Sequence, residues 1–258
     1  MGFPYIVKPS SSIVYWHHPF ADMQKVYLVH SAQEAADTVN RIYASGYEGE
    51  VLAQRYLSGG DSAGYVLTLY FDREGRCIAR AAGRVLLEER TPRGRGNYAA
   101  LLSVPVPPIA ERLEEMLHSV HYRGFANFDL RENGPGGKLL PLELNLRQGR
   151  SNHFLTAGGI NPAILLCEDY ILGRHLPRVD MTAPLLFRTV PFPVVYRYTE
   201  DRVLAERARE LHRSGREGNP WNARSDLIGN PRRMLYLTMH NWRERKKFRK
   251  YCVEERGI

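Results

Sequence analysis

Residues 124–154 read GFANFDLRENGPGGKLLPLELNLRQGRSNHF. Two apolar runs, "GFANFDL" and "KLLPLELNL", flank "GPGG", and that order spells a β-hairpin. Strand side chains alternate between faces, so Glu143 and Asn145, two apart, project to the same side. If the strands pair across "GPGG", Asp129 meets them from the neighbouring strand. Three oxygen-bearing side chains then converge. Mg²⁺ takes such hard donors, with phosphates and water completing its shell. Arg147, next on that side, offers a fork of donors to a phosphate or an acyl oxyanion. The same letters also spell a solvated hairpin with ordinary surface polars, since E-x-N after a strand is common. Spacing alone leaves both readings open.

The remaining composition bounds the answer. A chain of 258 residues can bury a real core, as one large domain or two intimate ones. No run is long and apolar enough to cross a membrane. The start, "MGFPYIVKPSSS", lacks the charged-then-apolar layout of a secretion signal. Cys77, Cys167 and Cys252 form neither a zinc pattern nor a disulfide framework, which makes a reducing cytoplasm the expectation. A net charge of +8 favours anionic partners.

Outward from the hairpin, "FPYIVKP" reads as a buried strand. "SAQEAADTVNRIYASG" is a helix with Ser31 as N-cap, Glu34 three later and Gly46 as its stop. "EVLAQRYLSGG" is a strand. Residues 62–89 form a hairpin turning at "DREG", and "TPRGRGN" is a basic, glycine-rich break. "PPIAERLEEMLHSVHY" is a helix with proline in its first turn. "NPAILLCEDYILG" is another, with Cys167 on its apolar, core-facing side. Beyond Pro177 the text is rich in proline and arginine, and "NWRERKKFRKYCVEERGI" closes it as a basic helix. Strands joined mostly by hairpins give an α+β fold around an antiparallel sheet.

Two weaker signals sit upstream. Lys8 ends a strand and is followed by Ser10, Ser11 and Ser12, a loop able to cover phosphate oxygens, although strand-end lysines are ordinarily just solvated. The "AQRYLSGGDS" strand has backbone polars for an adenine edge, and Asp61 suits a ribose hydroxyl. His17 and His18 read as solvated loop residues, and Tyr15 and Trp16 as local packing. His153, beside Arg150, is a candidate substrate contact. Arg93 and Arg95 are surface charges unless an anion sits beside them. No G-x-S-x-G nucleophile motif occurs.

Taken in this order, "FPYIVKPSSS", "VLAQRYLSGGDS", "AGRVLLEE" and the 124–154 hairpin resemble the ATP-grasp superfamily of carboxylate-amine ligases over roughly residues 3–175. Within it, "NLRQGRSNHF" is similar to an element of D-aspartate ligase-like enzymes of peptidoglycan cross-bridge synthesis. The resemblance implies roles. Lys8 and Ser10, Ser11 and Ser12 would contact ATP phosphates. Gln54, Arg55, Tyr56 and Leu57 would line the adenine, with Asp61 at the ribose. Arg84 would face the transferred phosphate, and Arg147 would flank the acyl-phosphate. Asp129, Glu143 and Asn145 would hold Mg²⁺. Arg150, Ser151, Asn152 and His153 would lie on the substrate side. It also implies a lid over 1–58, a catalytic core over 59–176 and a basic extension over 177–258 packed on that core. The family's N-terminal domain and a further nucleotide-binding lysine are expected upstream and are absent from this sequence. The family's phosphate loop is glycine-rich, whereas "SSSIVYWHHP" has no glycine, which puts its closing motion in question.

The implied function is ATP- and Mg²⁺-dependent joining of a small carboxylate, such as D-aspartate, to an amine, with a ligase joining other small metabolites as the alternative. The rival from another class is a nucleic-acid binder, because "NPRRMLYLTMHNWRERKKFRKY" interleaves basic and aromatic residues. The ligase reading is preferred because the hairpin cluster has no purpose in the binder. The oligomeric state is left open by the sequence.

Overall fold

The computed structural model describes residues 2–91, 94, 96–221 and 227–254. Arg93 and Arg95 lie outside them. Two compact units emerge: residues 1–58 with 90–95, and residues 59–89 with 96–258.

In the first unit, β1 (Tyr5–Pro9) runs between β2 (Tyr27–Val29) and β3 (Val51–Arg55), antiparallel to both. One face packs Val7, Tyr27 and Val29 against α2 (Ala32–Ala44), which buries Thr38 and Ile42. The Ser31 Oγ accepts from the Glu34 amide, Glu34 Oε2 accepts from the His30 amide, and Gly46 ends the helix at φ +89°. Only glycine takes that left-handed turn cheaply. The serine run is no open loop. Ser11 caps a short helix, α1 (Ser12–Tyr15), and the Tyr47 hydroxyl accepts from the Ser11 amide. Tyr15 is wholly buried and shares a 2.6 Å hydroxyl–hydroxyl bond with Tyr27. Burial first, and that bond second, push its ionisation far up.

The second unit is built on a mixed sheet ordered β11 (Glu217–Gly218), β10 (Leu186–Arg188), β6, β5, β4, β7 and β8, with β9 (Val179–Asp180) pairing to β5. Its central strands are β4 (Gly64–Phe71), β5 (Cys77–Glu88), β6 (Tyr98–Val104), β7 (Gly124–Glu132) and β8 (Leu139–Asn145). The β4–β5 turn is "DREG", where Asp72 Oδ1 accepts from the Glu74 and Arg76 amides and Gly75 sits at φ +81°. The sheet has two very different faces. One carries Leu67, Leu69, Phe128 and Leu130 and is covered by α3 (Ile109–Ser119). The other carries Val66, Tyr70, Phe125 and Phe187 and is covered by α4 (His153–Ala157) and Ile160.

Sequence reading missed several elements. Tyr98–Val104 forms β6, and β10 (Leu186–Arg188), a wholly buried strand, pairs with it. Beyond β10 come α6 (Phe192–Tyr198), α7 (Arg202–Arg213) and β11 (Glu217–Gly218), and then α8 (Pro231–Glu254), the closing basic helix expected from the sequence, which starts ten residues earlier than the expected 241. The prolines hid α6: Pro193 sits in its first turn, where its missing N–H costs nothing. Phe248 and Cys252 of α8 join Val194, Val195, Ala208 and Leu211 in one core with Leu102 and Leu186 of the sheet. Residues 177–258 thus supply strands to the sheet as well as helices against it. The expectation for Cys167 is corrected. The helix α5 (Pro162–Leu166) widens into a π turn over Cys167–Ile171, which buries Asp169 and leaves Cys167 exposed. Asp169 is the side chain fixed to the core, accepting from the Tyr70 hydroxyl at 2.7 Å and the Arg73 amide at 3.0 Å.

The short strand β9 (Val179–Asp180) is clamped by Arg80, whose Nε and Nη2 donate to the Asp180 carboxylate. Those bonds hold Asp180 below the usual carboxylate range, against the opposing pull of partial burial. A depressed folded value means the contribution is complete above the unfolded value of about 3.9 and fades as pH falls through the lower folded one. Stability to urea should therefore fall below about pH 4, and Asp180→Asn should flatten that acid limb while lowering stability at neutral pH. Parallel pH curves for the two proteins would remove Asp180 from the explanation.

Candidate active site

Registration across the hairpin decides the site. Asp129 of β7 pairs with Glu143 of β8, and Asn127 pairs with Asn145. Directly paired residues project from the same face, so all four side chains stand on one side of the sheet. A bulge between Asp129 and Leu130 adds one residue to β8. It lets both Leu139 and Leu144, five apart, turn to the α3 core, while Glu143 and Asn145 stay on the other face. Glu143 is exposed, and Asp129 and Asn145 are half-buried.

Two residues that sequence reading did not single out support this group. The Tyr98 hydroxyl donates to Asp129 Oδ1 at 2.6 Å. Burial, then the Asp129 charge and that bond, raise the Tyr98 ionisation well above its ordinary value, with Glu88 and Glu143 adding to the same negative field. Tyr98 therefore stays a neutral donor, and it samples the charge of three carboxylates. The Thr68 hydroxyl donates to Asn127 Oδ1 at 2.8 Å, and both residues are almost wholly buried. Neither partner sits in the hairpin motif. Only the sheet order brings β6 and β4 to it.

After β8 the chain turns sharply. The Arg147 Nη1 donates to the Gln148 carbonyl, and the residue is exposed. The Gly149 Cα lies so close to Asn127 that a Cβ there would stand 3.1 Å from its carboxamide, so a side chain would crowd Asn127 and force a small shift. Ser151 and Asn152 are buried, not presented outward. Asn152 Oδ1 accepts from the Gly149 amide, and its Nδ2 is buried with no partner among the described residues. Arg150 and His153 are exposed, and His153 opens α4.

One expected member is not brought in. Arg84 pairs with Tyr65, which pairs with Leu130. It therefore projects from the face opposite Asp129. There its Nε donates to the Ser62 carbonyl, its guanidinium lies over the Tyr65 ring, and it lines a separate cavity of about 290 Å³ with Leu102, Pro184 and Arg207. The cause is parity: one residue of difference along β5 puts a side chain on the other face. Asp61 lies in the same unit, where its Oδ2 accepts from the Glu88 amide. In the first unit, Lys8 pairs with Leu52 and Gln54 with Ile6, so Lys8 and Gln54 share a face and Arg55 takes the other. Leu57 is buried, and the Tyr56 amide donates to the Pro4 carbonyl. Ser10 and Ser11 contact the Tyr47 hydroxyl, and Ser12 begins α1.

Two neighbouring carboxylates and a carboxamide form a hard-oxygen donor set that fits Mg²⁺ with an anionic ligand completing the shell. Among the described residues, no three His, Cys, Asp or Glu side chains form a metal-holding group by themselves.

Comparison with known proteins places this architecture. No family model matches the chain. The biotin carboxylase domain of Hydrogenobacter thermophilus 2-oxoglutarate carboxylase, solved with MgADP, ADP and bicarbonate, superposes with a TM-score of 0.52 at 11% identity. The match covers 70% of this chain and 38% of that one. The fold is that of the ATP-grasp enzymes. In sequence, the chain is 32% identical over 223 residues to the D-aspartate ligase of Enterococcus faecium (strain Aus0004), a match covering 83% of this chain and 52% of that protein. The chain thus spans about half the length of the curated relative it matches. An L-amino acid ligase from Bacillus licheniformis aligns with a TM-score of 0.44 at 16% identity, over 66% of this chain and 39% of that one.

The Thr68–Asn127 bond gives a direct test of the supporting layer. Thr68→Val keeps the shape but leaves a buried acceptor without its donor, which should cost about 1–3 kcal/mol in urea unfolding. An unchanged midpoint would mean that Asn127 is held by other contacts.

Proposed function

We propose that this chain carries the nucleotide-handling part of an ATP- and Mg²⁺-dependent ligase that joins a carboxylate to an amine. D-aspartate is the preferred carboxylate, on the strength of the relative, with synthesis of a peptidoglycan cross-bridge as the setting and the cytoplasm as the compartment. The observation that carries the reading is the Asp129–Glu143 register, which presents two carboxylates and the Asn145 carboxamide from adjacent strands on one face.

The chemistry explains why such a group is needed. An amine cannot displace oxide from a carboxylate at neutral pH. Phosphorylation by ATP makes an acyl-phosphate, the amine attacks the acyl carbon, and phosphate leaves. The protein's share is to position anions and balance charge. Asp129, Glu143 and Asn145 would hold the metal, which when bound neutralises phosphate charge. Tyr98 fixes the Asp129 carboxylate by donating to one oxygen. Arg147, exposed just past β8, is assigned to the acyl-phosphate, and Arg150, Ser151, Asn152 and His153 to the substrate side. Lys8, Ser10, Ser11, Ser12, Gln54, Arg55, Tyr56, Leu57 and Asp61 are assigned to the nucleotide by the family resemblance. Arg84 is left out, because its face of the sheet is the wrong one. The partners in this reading are ATP and two small substrates.

Calorimetry with ATP, with and without Mg²⁺, tests this directly. Asp129→Asn and Glu143→Gln should abolish the Mg²⁺-dependent part of ATP binding while leaving the fold intact by circular dichroism. Tyr98→Phe, which removes only an orienting hydroxyl, should weaken Mg²⁺ affinity by about tenfold or more. Wild-type-like Mg²⁺ dependence in both carboxylate variants would overturn the site. Phosphate release from ATP with D-aspartate and an amine, but not with L-aspartate, would support the substrate. Release with other acids only would move the assignment elsewhere among ligases.

A further inference from the structure

The solvent face of α8 carries large apolar side chains. Leu235, Met239 and Trp242, spaced as one helical row, are 63%, 46% and 56% exposed. The opposite side of the same helix is anchored, with Leu237, Phe248 and Cys252 buried. The helix therefore has two apolar sides, and among the described residues only one of them is packed into a core cluster.

Further along, that outer side becomes strongly basic. Arg243, Arg245, Lys246, Arg249 and Lys250 are all exposed, and among the described residues none of them pairs with an acid. Lys246 instead lies over the Trp242 ring, 3.9 Å from its centroid. Lys247 shows the contrast: it turns inward and is held by Glu89 at 2.6 Å and Glu244 at 3.1 Å. Among the described residues, the helix keeps its acid partners for the residue facing the core and gives the outer cations none.

We propose that this face of α8 docks the chain on an anionic lipid surface, lying in the interface plane. Three observations converge. The apolar row is the kind that enters the headgroup boundary, and tryptophan beside lysine is suited to that depth. The unpaired cations match anionic headgroups. Among the described residues no helix is long and apolar enough to cross a bilayer, so the contact lies on the membrane without spanning it. A nucleic acid would take the cations and Trp242 but has no use for Leu235 and Met239, which is why lipid is preferred. The inference stands apart from the ligase reading, since no residue of the carboxylate group is involved.

Vesicle sedimentation decides it. The 258-residue chain should pellet with vesicles of phosphatidylcholine mixed with phosphatidylglycerol, far less with phosphatidylcholine alone, and less as salt rises. Leu235→Ser with Trp242→Ser should abolish pelleting. Lys246→Gln, Arg249→Gln and Lys250→Gln together should weaken it roughly 100-fold, at about fivefold per cation. Both variants should keep the wild-type circular dichroism and Mg²⁺-dependent ATP binding. The proposal fails if phosphatidylglycerol makes no difference. It fails equally if single-stranded RNA binds more tightly than the vesicles and the Leu235/Trp242 variant still binds it. It also fails if light scattering shows that this face closes a dimer of the chain and the vesicles are ignored.

Discussion

The second unit depends on one constraint, the pairing of β7 with β8 around a single bulge. Hairpin pairing alone would place side chains by strict alternation. The extra residue on β8 breaks that parity in the middle of the strand, so that Leu139 and Leu144 both reach the α3 core. The apolar demand is met on one face, and Glu143 and Asn145 are left on the other, opposite Asp129 and Asn127. A carboxylate pair standing on one face is electrostatically unfavourable by itself. The arrangement persists because the strand register is fixed by Leu139 and Leu144, partly buried side chains packed against the α3 core.

The polar group is then held from behind. Tyr98 and Thr68 approach from β6 and β4 and donate to Asp129 and Asn127, so the acceptors nearest the core are satisfied by rigid strands. The side of the group away from the core is where the chain turns at Arg147 and packs Gly149 against Asn127. The buried Nδ2 of Asn152 lacks a protein partner among the described residues. The Arg84 side of the same sheet is a different environment, walled by prolines and leucines and by Arg207 of α7.

The C-terminal third contributes more than charge. Its strand β10 extends the sheet, and α6, α7 and α8 cover Leu102 and Leu186 on the same side of the sheet as α3, beyond the strands that α3 covers. Proline and arginine dominated its text and masked a helix–strand pattern. Helix starts tolerate proline, and arginine stems cover apolar surface while their heads stay in water. Arg188 illustrates the limit of counting charges. It is buried on β10 and satisfied by Glu217, which in turn accepts from or pairs with His212.

By itself the sequence determined the hairpin 124–145, the helix at 31–46 with its Ser31 cap, the "DREG" turn, and the shared face of Glu143 and Asn145, whereas the bulge decided that Asp129 stands opposite Glu143. Each of the former is a local matter of alternation, capping or turn chemistry within one or two adjacent segments. Tertiary structure alone decided that Tyr98 and Thr68 support those acids, that Arg84 points away from them, that Cys167 is outside, and that Ser151 and Asn152 are buried. The physical reason is the same in every case. Which face of a sheet a residue takes, and which strand lies beside it, depends on strand order, bulges and helix widening set by packing between segments far apart in the chain.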